Sequence, residues 1–322
     1  MEVQQTVTDN TKASTSVSIG ELARSTGLAV RTIRFYCDEG LLEPRRSGGG
    51  HRIFDVDSAT ERLLLIRRLR SLGLGLDSIT DIVCEQQTIA EAVAAESARL
   101  DIEFKSLAWR RASLRALEAV TPGQRTHRLA LLAATQDATA AHGLLEQFWR
   151  RILTQIPRRD VDGWVYWNVP EPPGDPSADE IVAYAELVAL VAEPDMKRSV
   201  QQQLLRHNPE LIGDRSRLYT EVGDVLEDVV AHISKGVLPR DGSELDRFVR
   251  AHASARGQCD SLRFREQMLI GATDTDQRIH RYWALTARFL GTRVTVGQAH
   301  HWLYDALASS TDCTDAGRRS LS

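Results

Sequence analysis

The sequence has little cysteine, no long apolar run and no excess of positive charge. Its four cysteines stand far apart and form no disulfide framework or CxxC pair, which fits a reducing cytoplasm. No apolar stretch approaches the roughly 20 residues that cross a bilayer, which argues against a membrane-spanning protein. The first 17 residues are polar and lack the pattern of a secretory signal, so a disordered tail is predicted over 1–17.

The net charge of −4, from 40 basic and 44 acidic residues, does not exclude nucleic-acid binding. A DNA-binding protein needs one basic surface, and it can have such a surface even when its net charge is negative. Arginines cluster between residues 23 and 70, with few acids inside each group: Arg31 and Arg34; Arg45, Arg46 and Arg52; Arg67, Arg68 and Arg70. The 322 residues suffice for two domains, each with its own core.

Two short helices joined by a glycine turn are predicted near the start of the chain. Ser18 and Glu21 have the spacing of a capping box, which begins a helix, and Gly27 supplies the turn. A second helix is predicted from about Val30 to Glu39. Its apolar residues are spaced to face inward, and its other side carries Arg31, Thr32, Arg34, Phe35 and Tyr36. Any helical hairpin could have this pattern, so the motif alone does not establish DNA binding.

The following segment predicts a β-ribbon, or wing. Arg45–Arg46 and Arg52–Phe54 are expected to be short strands, with the glycine-rich residues 47–50 between them. A flexible surface loop is the alternative. A longer helix capped by Asp57 or Ser58 is then expected to reach about Ser71, and another to cover residues 77–84.

Residues 18–83 resemble the DNA-binding domain of the MerR family of transcription regulators. The matching pieces are Ile19-Gly20-Glu21-Leu22-Ala23, Gly27, Arg31-Thr32-Ile33-Arg34-Phe35-Tyr36, Gly40-Leu41-Leu42, Gly50-His51-Arg52-Ile53-Phe54, Leu72-Gly73-Leu74 and Leu76-Asp77-Ser78-Ile79. The chain departs from the family at Ala29, where a capping Ser or Thr is usual, and at Phe35, His51 and Phe54, where tyrosines are common. Loss of the cap is expected to cost the second helix about 1 kcal/mol.

The second helix and the wing are therefore the predicted DNA contacts. Arg31 and Thr32 lie near the helix N-terminus, which reaches base edges when such motifs dock in the major groove. Arg34, Tyr36 and Arg52 are expected to hold phosphates, and Arg45 to add salt-dependent attraction. Phe35 and His51 complete the predicted contact set. Core packing is the alternative for the aromatic pair, and a solvated surface position is the alternative for Arg34 and Arg52.

A helical run without Gly or Pro follows at residues 86–120. Its apolar residues recur every seven positions, which is typical of a coiled coil. The predicted dimerisation residues are Val93, Leu100, Phe104, Leu107 and Leu114. A helix packed on its own domain is the alternative. The resemblance implies an antiparallel coiled coil that pairs two subunits, so that a two-fold homodimer meets a palindromic DNA site.

An all-helical second domain is predicted over residues 124–310, followed by a flexible tail at 311–322. Helices are expected at 129–156, 181–193, 195–207, 214–235, 243–256, 261–270, 276–290 and 296–309. The predicted architecture is thus mainly α, with DNA-binding, dimerisation and C-terminal segments at 18–85, 86–120 and 124–310.

No catalytic constellation, metal motif or phosphate loop stands out in the sequence, so the protein is not expected to be an enzyme or to need a cofactor. Aromatic residues of the second domain could line a ligand pocket or simply form its core. The pocket candidates are Trp149, Trp164, Trp167, Trp283 and Trp302.

The resemblance implies a cytoplasmic, nucleoid-associated bacterial regulator. Its dimer would bend and untwist double-stranded promoter DNA and so act on RNA polymerase indirectly. A small-molecule effector held by the second domain would control it by favouring one dimer geometry. A protein partner for the second domain is the alternative, with DNA-targeted enzymatic activity as a further alternative. No membrane association is expected.

Overall fold

The computed structural model describes residues 16–319, except 134, 155, 157, 271 and 292. The described chain is mainly α-helical, as predicted, and it divides into two compact units between Glu103 and Phe104. The first unit contains β1 (Ser16–Ser18), α1 (Ile19–Thr26), α2 (Val30–Asp38), β2 (Arg45–Arg46), β3 (Arg52–Asp55), α3 (Val56–Ser71) and α4 (Leu76–Val83). Helix α5 (Ile89–Glu118) contains the division.

The first unit confirms the predicted helix-turn-helix and wing. Ser18 caps α1 in a capping box with Glu21, and Gly27 ends the helix in the left-handed region at φ +72°. The three strands form an antiparallel sheet in the order β1-β3-β2. Fully buried side chains from α1, α2, α3 and α4 meet in one core: Leu22, Ile33, Leu63, Ile66 and Ile79.

Strand β1 was not predicted. Ser16 and Val17 fall in the segment expected to be disordered, but they pair with Asp55 and Phe54 of β3. This pairing joins two segments that are far apart in the chain. A strand of three residues is too short to show the alternating pattern that predicts a strand. The remaining part of that predicted tail, residues 1–15, lies outside the described residues. The predicted cap of α3 was also wrong, because Asp55 accepts the N–H of Ser58 (3.0 Å) and starts the helix earlier.

The second unit is built from helices that enclose a large apolar core. They are α6 (Arg125–Ala133), α7 (Ala138–Ile152), α8 (Arg158–Asn168), α9 (Ala178–Ala192), α10 (Met196–Leu205), α11 (Arg215–Ser234), α12 (Ser243–Ser254), α13 (Leu262–Leu269), α14 (Gln277–Leu290) and α15 (Val296–Arg319). Short 3-10 turns lie at Pro122–Gln124 and Pro209–Leu211. The domain limits drawn from the sequence stay predictions.

Two helix predictions in this unit were wrong. The single helix expected over 129–156 is split into α6 and α7, because the Asp137 carboxylate accepts the N–H of Ala140 (2.7 Å) and caps a new helix. Helix α15 continues to Arg319, through most of the predicted tail. The Ser309 hydroxyl donates to the Asp305 carbonyl (2.9 Å), so the serines near the expected end are accommodated within the helix.

Candidate functional site

Helix α2 is anchored by one fully buried residue and presents its basic residues to solvent. Ile33 packs in the core of the first unit, while Arg31 and Arg34 are exposed and Thr32 is half-buried. The helix begins at Ala29 without a side-chain cap, as expected. The Ala29 carbonyl accepts the N–H groups of Thr32 (2.9 Å) and Ile33 (3.2 Å), as the first intrahelical contacts.

The two adjacent aromatic residues of α2 have different environments. Phe35 is 43% exposed, whereas Tyr36 is half-buried against the core. Their ring centroids are 5.9 Å apart. Core packing, which the sequence left open for both residues, therefore describes Tyr36 better than Phe35.

The wing displays arginines beside a tight turn. The Ser47 N–H donates to the His51 carbonyl (2.9 Å), and Gly50 has φ +79°, a conformation that favours glycine. Arg45, Arg46 and His51 are exposed. Within the described part of the chain, neither Arg45 nor Arg46 forms an ion pair, and the same holds for Arg31 and Arg34 of α2. These four guanidinium groups are free to meet anionic oxygens.

The wing and α2 are joined by an ion pair that the sequence did not predict. The Arg52 guanidinium donates to the Asp38 carboxylate at 2.9 Å, and both side chains are partly exposed. Arg52 is thus not a wholly free phosphate ligand, because it also links β3 to the last residue of α2. The only sequence signal was an acid at the end of an otherwise basic helix, 14 positions from Arg52.

The predicted dimerisation residues lie along one exposed face of α5, which we call the α5 stripe: Val93, Leu100, Phe104, Leu107 and Leu114. Their exposed fractions run from 40% to 57%, which is high for large apolar side chains. Other positions on the C-terminal half of α5 are buried in the second unit. Trp109 donates its indole N–H to the Pro173 carbonyl (3.0 Å) and meets Tyr184 edge-on at 5.5 Å. This part of the helix therefore packs on its own unit and still exposes the stripe.

The five tryptophans proposed as pocket residues do not line one common pocket. Trp149 is fully buried and donates to the Tyr282 hydroxyl (2.7 Å), so it belongs to the core. Trp164 and Trp167 line an open groove of about 560 Å³ with Tyr219. Trp283 and Trp302 line a separate cavity of about 390 Å³. No sequence pattern predicts the polar residues of the second cavity, Gln203 and Asp274, because they are 71 positions apart and follow no motif.

A buried charged cluster lies behind that cavity. Arg206 and Asp274 form a fully buried ion pair, with the Arg206 guanidinium 5.4 Å from the centre of the Phe248 ring. Burial lowers the pKa of the neighbouring His300 to about 3, and it lowers the pKa of His252 well below its usual range. Both imidazoles are therefore neutral near pH 7.

Neither a metal cluster nor a membrane span is present among the described residues. No group of three or more His, Cys, Asp or Glu side chains in that part of the chain is arranged to hold a metal ion. No helix described by the structure is both long enough and apolar enough to cross a membrane.

Comparison with known proteins identifies relatives of the N-terminal region. The sequence profile described as MerR HTH family regulatory protein matches residues 17–86. The HTH-type transcriptional regulator MerD of Shigella flexneri is 33% identical over 118 residues, which are 35% of this chain and 96% of MerD. The nodulation protein NolA of Bradyrhizobium sp. (strain NC92) is 36% identical over 86 residues, which are 26% of this chain and 36% of NolA.

The HTH-type transcriptional activator TipA of Streptomyces coelicolor is 41% identical over 69 residues, or 21% of this chain and 27% of TipA. The chain thus spans about a third of NolA and a quarter of TipA. No solved structure matches the chain.

Proposed function

The chain belongs to the MerR family of transcription regulators, and we propose that it binds promoter DNA sequence-specifically as a homodimer. The observation that carries this proposal is the basic surface of the first unit. Arg31 and Arg34 on α2, and Arg45 and Arg46 on the wing, are exposed and without ion pairs among the described residues. Helix and wing are joined by the Asp38–Arg52 pair, so the two basic elements can bind one duplex together.

The contacts divide into base readout and phosphate binding. Arg31 and Thr32 are at the start of α2, the end that reaches base edges in the major groove. Arg34, Arg45 and Arg52 hold phosphates, assisted by His51, Phe35 and Tyr36. The Tyr36 ring also supports the core, so its hydroxyl is the part offered to DNA.

Dimerisation rests on the α5 stripe. Its large apolar side chains are exposed, and burial of such groups against an identical helix is strongly favourable. An antiparallel pairing of α5 with its copy would relate two α2 helices and two wings by a two-fold axis. The dimer then matches a palindromic site with half-sites about one helical turn apart.

The proposed regulatory mechanism acts through DNA shape. The dimer bends and untwists a promoter spacer, which realigns the two elements that RNA polymerase contacts. A small molecule bound by the second unit controls the protein by preferring one of two dimer geometries. The cavity lined by Trp283 and Trp302 favours a small molecule over a protein partner as this signal. The site of action is the cytoplasm, on the nucleoid.

The assignment of roles is tested by two arginine substitutions. The preferred DNA sequence is first selected from a random library with the full chain, and affinities are then measured by fluorescence anisotropy at several salt concentrations. Arg52→Ala is expected to weaken binding to every sequence and to reduce the salt slope by about 1 for each phosphate that the variant leaves unbound. Arg31→Ala is expected to relax the preference at one base position in each half-site, by about 1–3 kcal/mol.

Arg99→Ala is the control, because Arg99 is an exposed arginine of the same unit that is held by Glu96 and Glu103. Arg99→Ala is expected to change neither the salt dependence of DNA binding nor the preference for a base. Equal losses on all sequences from Arg31→Ala and Arg52→Ala would refute the division between base and phosphate contacts. Absence of any preferred sequence would refute the proposed function.

A further inference from the structure

The second unit contains a cavity of about 390 Å³ between helices α10, α11, α14 and α15. Its apolar lining includes Ile233, Ile279 and the rings of Trp283 and Trp302. The Trp302 ring is held in place because its N–H donates to the Val237 carbonyl at 2.9 Å. The volume and the aromatic lining are those of a site for a small organic molecule.

Three buried polar atoms of the lining have no hydrogen-bond partner among the described residues: the side-chain oxygen of Gln203, the indole nitrogen of Trp283 and Nδ1 of His301. Gln203 and Trp283, the more deeply buried two, are 1% and 6% exposed. The Gln203 amide nitrogen, by contrast, donates to Asp274 at 3.3 Å, which fixes the orientation of the amide. Buried polar groups are normally paired, and an unpaired acceptor and donor at one cavity point to a ligand that supplies the complementary donor and acceptor.

The position of the Trp283 donor is set by a glycine. The indole ring lies directly against Gly297, where any side chain would collide with it. Trp283 also packs against Trp149, at 5.7 Å between ring centroids. The free N–H therefore belongs to a ring held in place by α15 and by the core of the unit.

The buried charges beside Gln203 neutralise each other. Asp274 is neutralised by Arg206 in the fully buried ion pair, and the buried imidazoles near that pair are neutral. Asp305, at the edge of the cavity, lies 3.5 Å from His301 and is partly exposed. A charged ligand group placed beside Gln203 would lose its hydration next to an ion pair whose two charges already neutralise each other.

We propose that this cavity binds an uncharged aromatic small molecule that carries a hydrogen-bond donor and an acceptor side by side, as a carboxamide does. The donor pairs with Gln203, the acceptor pairs with Trp283, and the aromatic part packs among the apolar walls. Binding of this ligand is inferred from the cavity alone. The identification of this ligand as the regulatory signal rests on the proposed function.

The test uses two probes of nearly identical shape and different charge, 2-naphthamide and 2-naphthoate, titrated into the full chain by isothermal calorimetry. The amide is expected to bind saturably with one molecule per chain, and the carboxylate at least about tenfold more weakly. No binding of the amide, or equal binding of both probes, would overturn the proposal.

Substitutions then locate the bound amide. Ala287→Phe fills the cavity from a half-buried position and is expected to weaken amide binding at least about tenfold. Ala308→Phe, also half-buried but outside the lining, is the control and leaves binding unchanged. Unchanged binding to the folded Ala287→Phe protein would overturn the assignment. If that variant does not fold, Ala284→Phe makes the same test from an exposed lining position.

Trp283→Phe tests the donor itself. It removes an N–H that has no partner among the described residues of the free protein, so amide affinity is expected to fall about two- to tenfold. Naphthalene, which cannot accept from this N–H, is expected to bind wild type and variant equally. An equal loss for both probes would overturn the role of the donor.

DNA binding by the same preparations separates this proposal from the proposed function. Amide binding by a chain that shows no DNA sequence preference would support the cavity and refute the regulator. DNA sequence preference without amide binding would refute the cavity only.

Discussion

At the scale of single residues, the Asp38–Arg52 pair is the most informative feature of the DNA-binding unit. A partly exposed ion pair contributes only about 0–1 kcal/mol to stability. The pair is expected to affect DNA binding more than stability. The Asp38 carboxylate repels phosphates at the end of α2, and it occupies the Arg52 guanidinium, which would otherwise be free to bind them. Arg52 must exchange Asp38 for a phosphate, or bind both at once.

Asp38→Asn is therefore expected to strengthen binding to all DNA sequences several-fold and to steepen the salt dependence, because it releases Arg52 and removes a repelling charge. Anisotropy titrations at several salt concentrations measure both effects. Glu39→Gln is the matched control, since it removes the same charge from the adjacent exposed residue outside the ion pair. A smaller gain is expected for the control. Weaker binding by Asp38→Asn would mean that the pair serves chiefly to position the wing.

The buried imidazole of His300 gives the second unit a defined pH dependence. Burial is the main cause of its lowered pKa of about 3; Arg206 lowers the pKa further and Asp274 opposes the shift. The unfolded chain takes up a proton near pH 6.5, but the folded chain does so only near pH 3. The contribution of His300 to stability is therefore constant above pH 6.5 and is lost as the pH falls from 6.5 towards 3.

This histidine is expected to contribute a slope of about 1.4 kcal/mol per pH unit well below pH 6.5. Urea unfolding of the second unit at a series of pH values measures the slope in wild type and in His300→Gln. In the variant, the slope of the unfolding free energy against pH should decrease by the amount that one proton contributes. This holds whatever the absolute stability of the variant. An unchanged slope in His300→Gln would contradict the buried neutral state.

At the scale of elements, α2 begins without a side-chain cap and has one fully buried residue, Ile33. Ala29 has the extended backbone of an N-cap, with φ −68° and ψ 142°, but no side-chain acceptor. The buried Ile33 and the ion pair to the wing hold the helix instead. The Ala29 carbonyl already accepts two backbone N–H groups. A side-chain oxygen at position 29 would be a further acceptor for the N–H groups of the first turn.

Ala29→Ser is expected to stabilise the first unit by about 1 kcal/mol, because a serine hydroxyl can cap the first turn of α2. Chemical unfolding monitored by a probe in this unit measures the change. Ala95→Ser, at an exposed position within α5, is the control and should destabilise slightly, since serine is the poorer helix former. Destabilisation by both substitutions would show that Ala29 is not available for capping.

Helix α5 shows how one element serves two surfaces. Its heptad pattern was visible in the sequence, but the pattern did not reveal that Trp109, Ala112 and Ala116 pack into the second unit. Neither a free coiled-coil helix nor a helix wholly packed on its own domain describes it fully. It packs on its own unit along one side and exposes an apolar stripe along another.

At the scale of the whole molecule, the α5 stripe is expected to determine the oligomeric state. Leu107→Glu places a charge in the middle of the stripe, and the proposed two-fold axis would repeat the change in both subunits. The dissociation constant of the dimer is expected to rise at least about a hundredfold, as two buried leucines are worth roughly 3–6 kcal/mol. Sedimentation velocity over a range of concentrations measures it.

Ala98→Glu, at an exposed residue of α5 outside the stripe, is the control and should leave the dimer intact. Specific DNA binding should weaken together with dimerisation, because a monomer meets only half of a palindromic site. A wild-type chain that stays monomeric at micromolar concentration would refute the proposed role of the stripe.

The sequence by itself determined the helix-turn-helix, the wing and the heptad pattern of α5. These features depend on local signals, such as the Ser18 capping box, the left-handed Gly27 and the spacing of apolar residues along one helix. It also determined that Ala29 would leave α2 without a cap.

Only the tertiary structure decided which distant side chains meet. The pairing of β1 with β3, the Asp38–Arg52 bridge and the cavity beside Gln203 each join positions that no local pattern connects. Tertiary packing likewise separated the five tryptophans into core, groove and cavity residues, although their chemistry in the sequence is the same. The physical reason is that burial and pairing are properties of the assembled core, which brings together helices far apart in the chain.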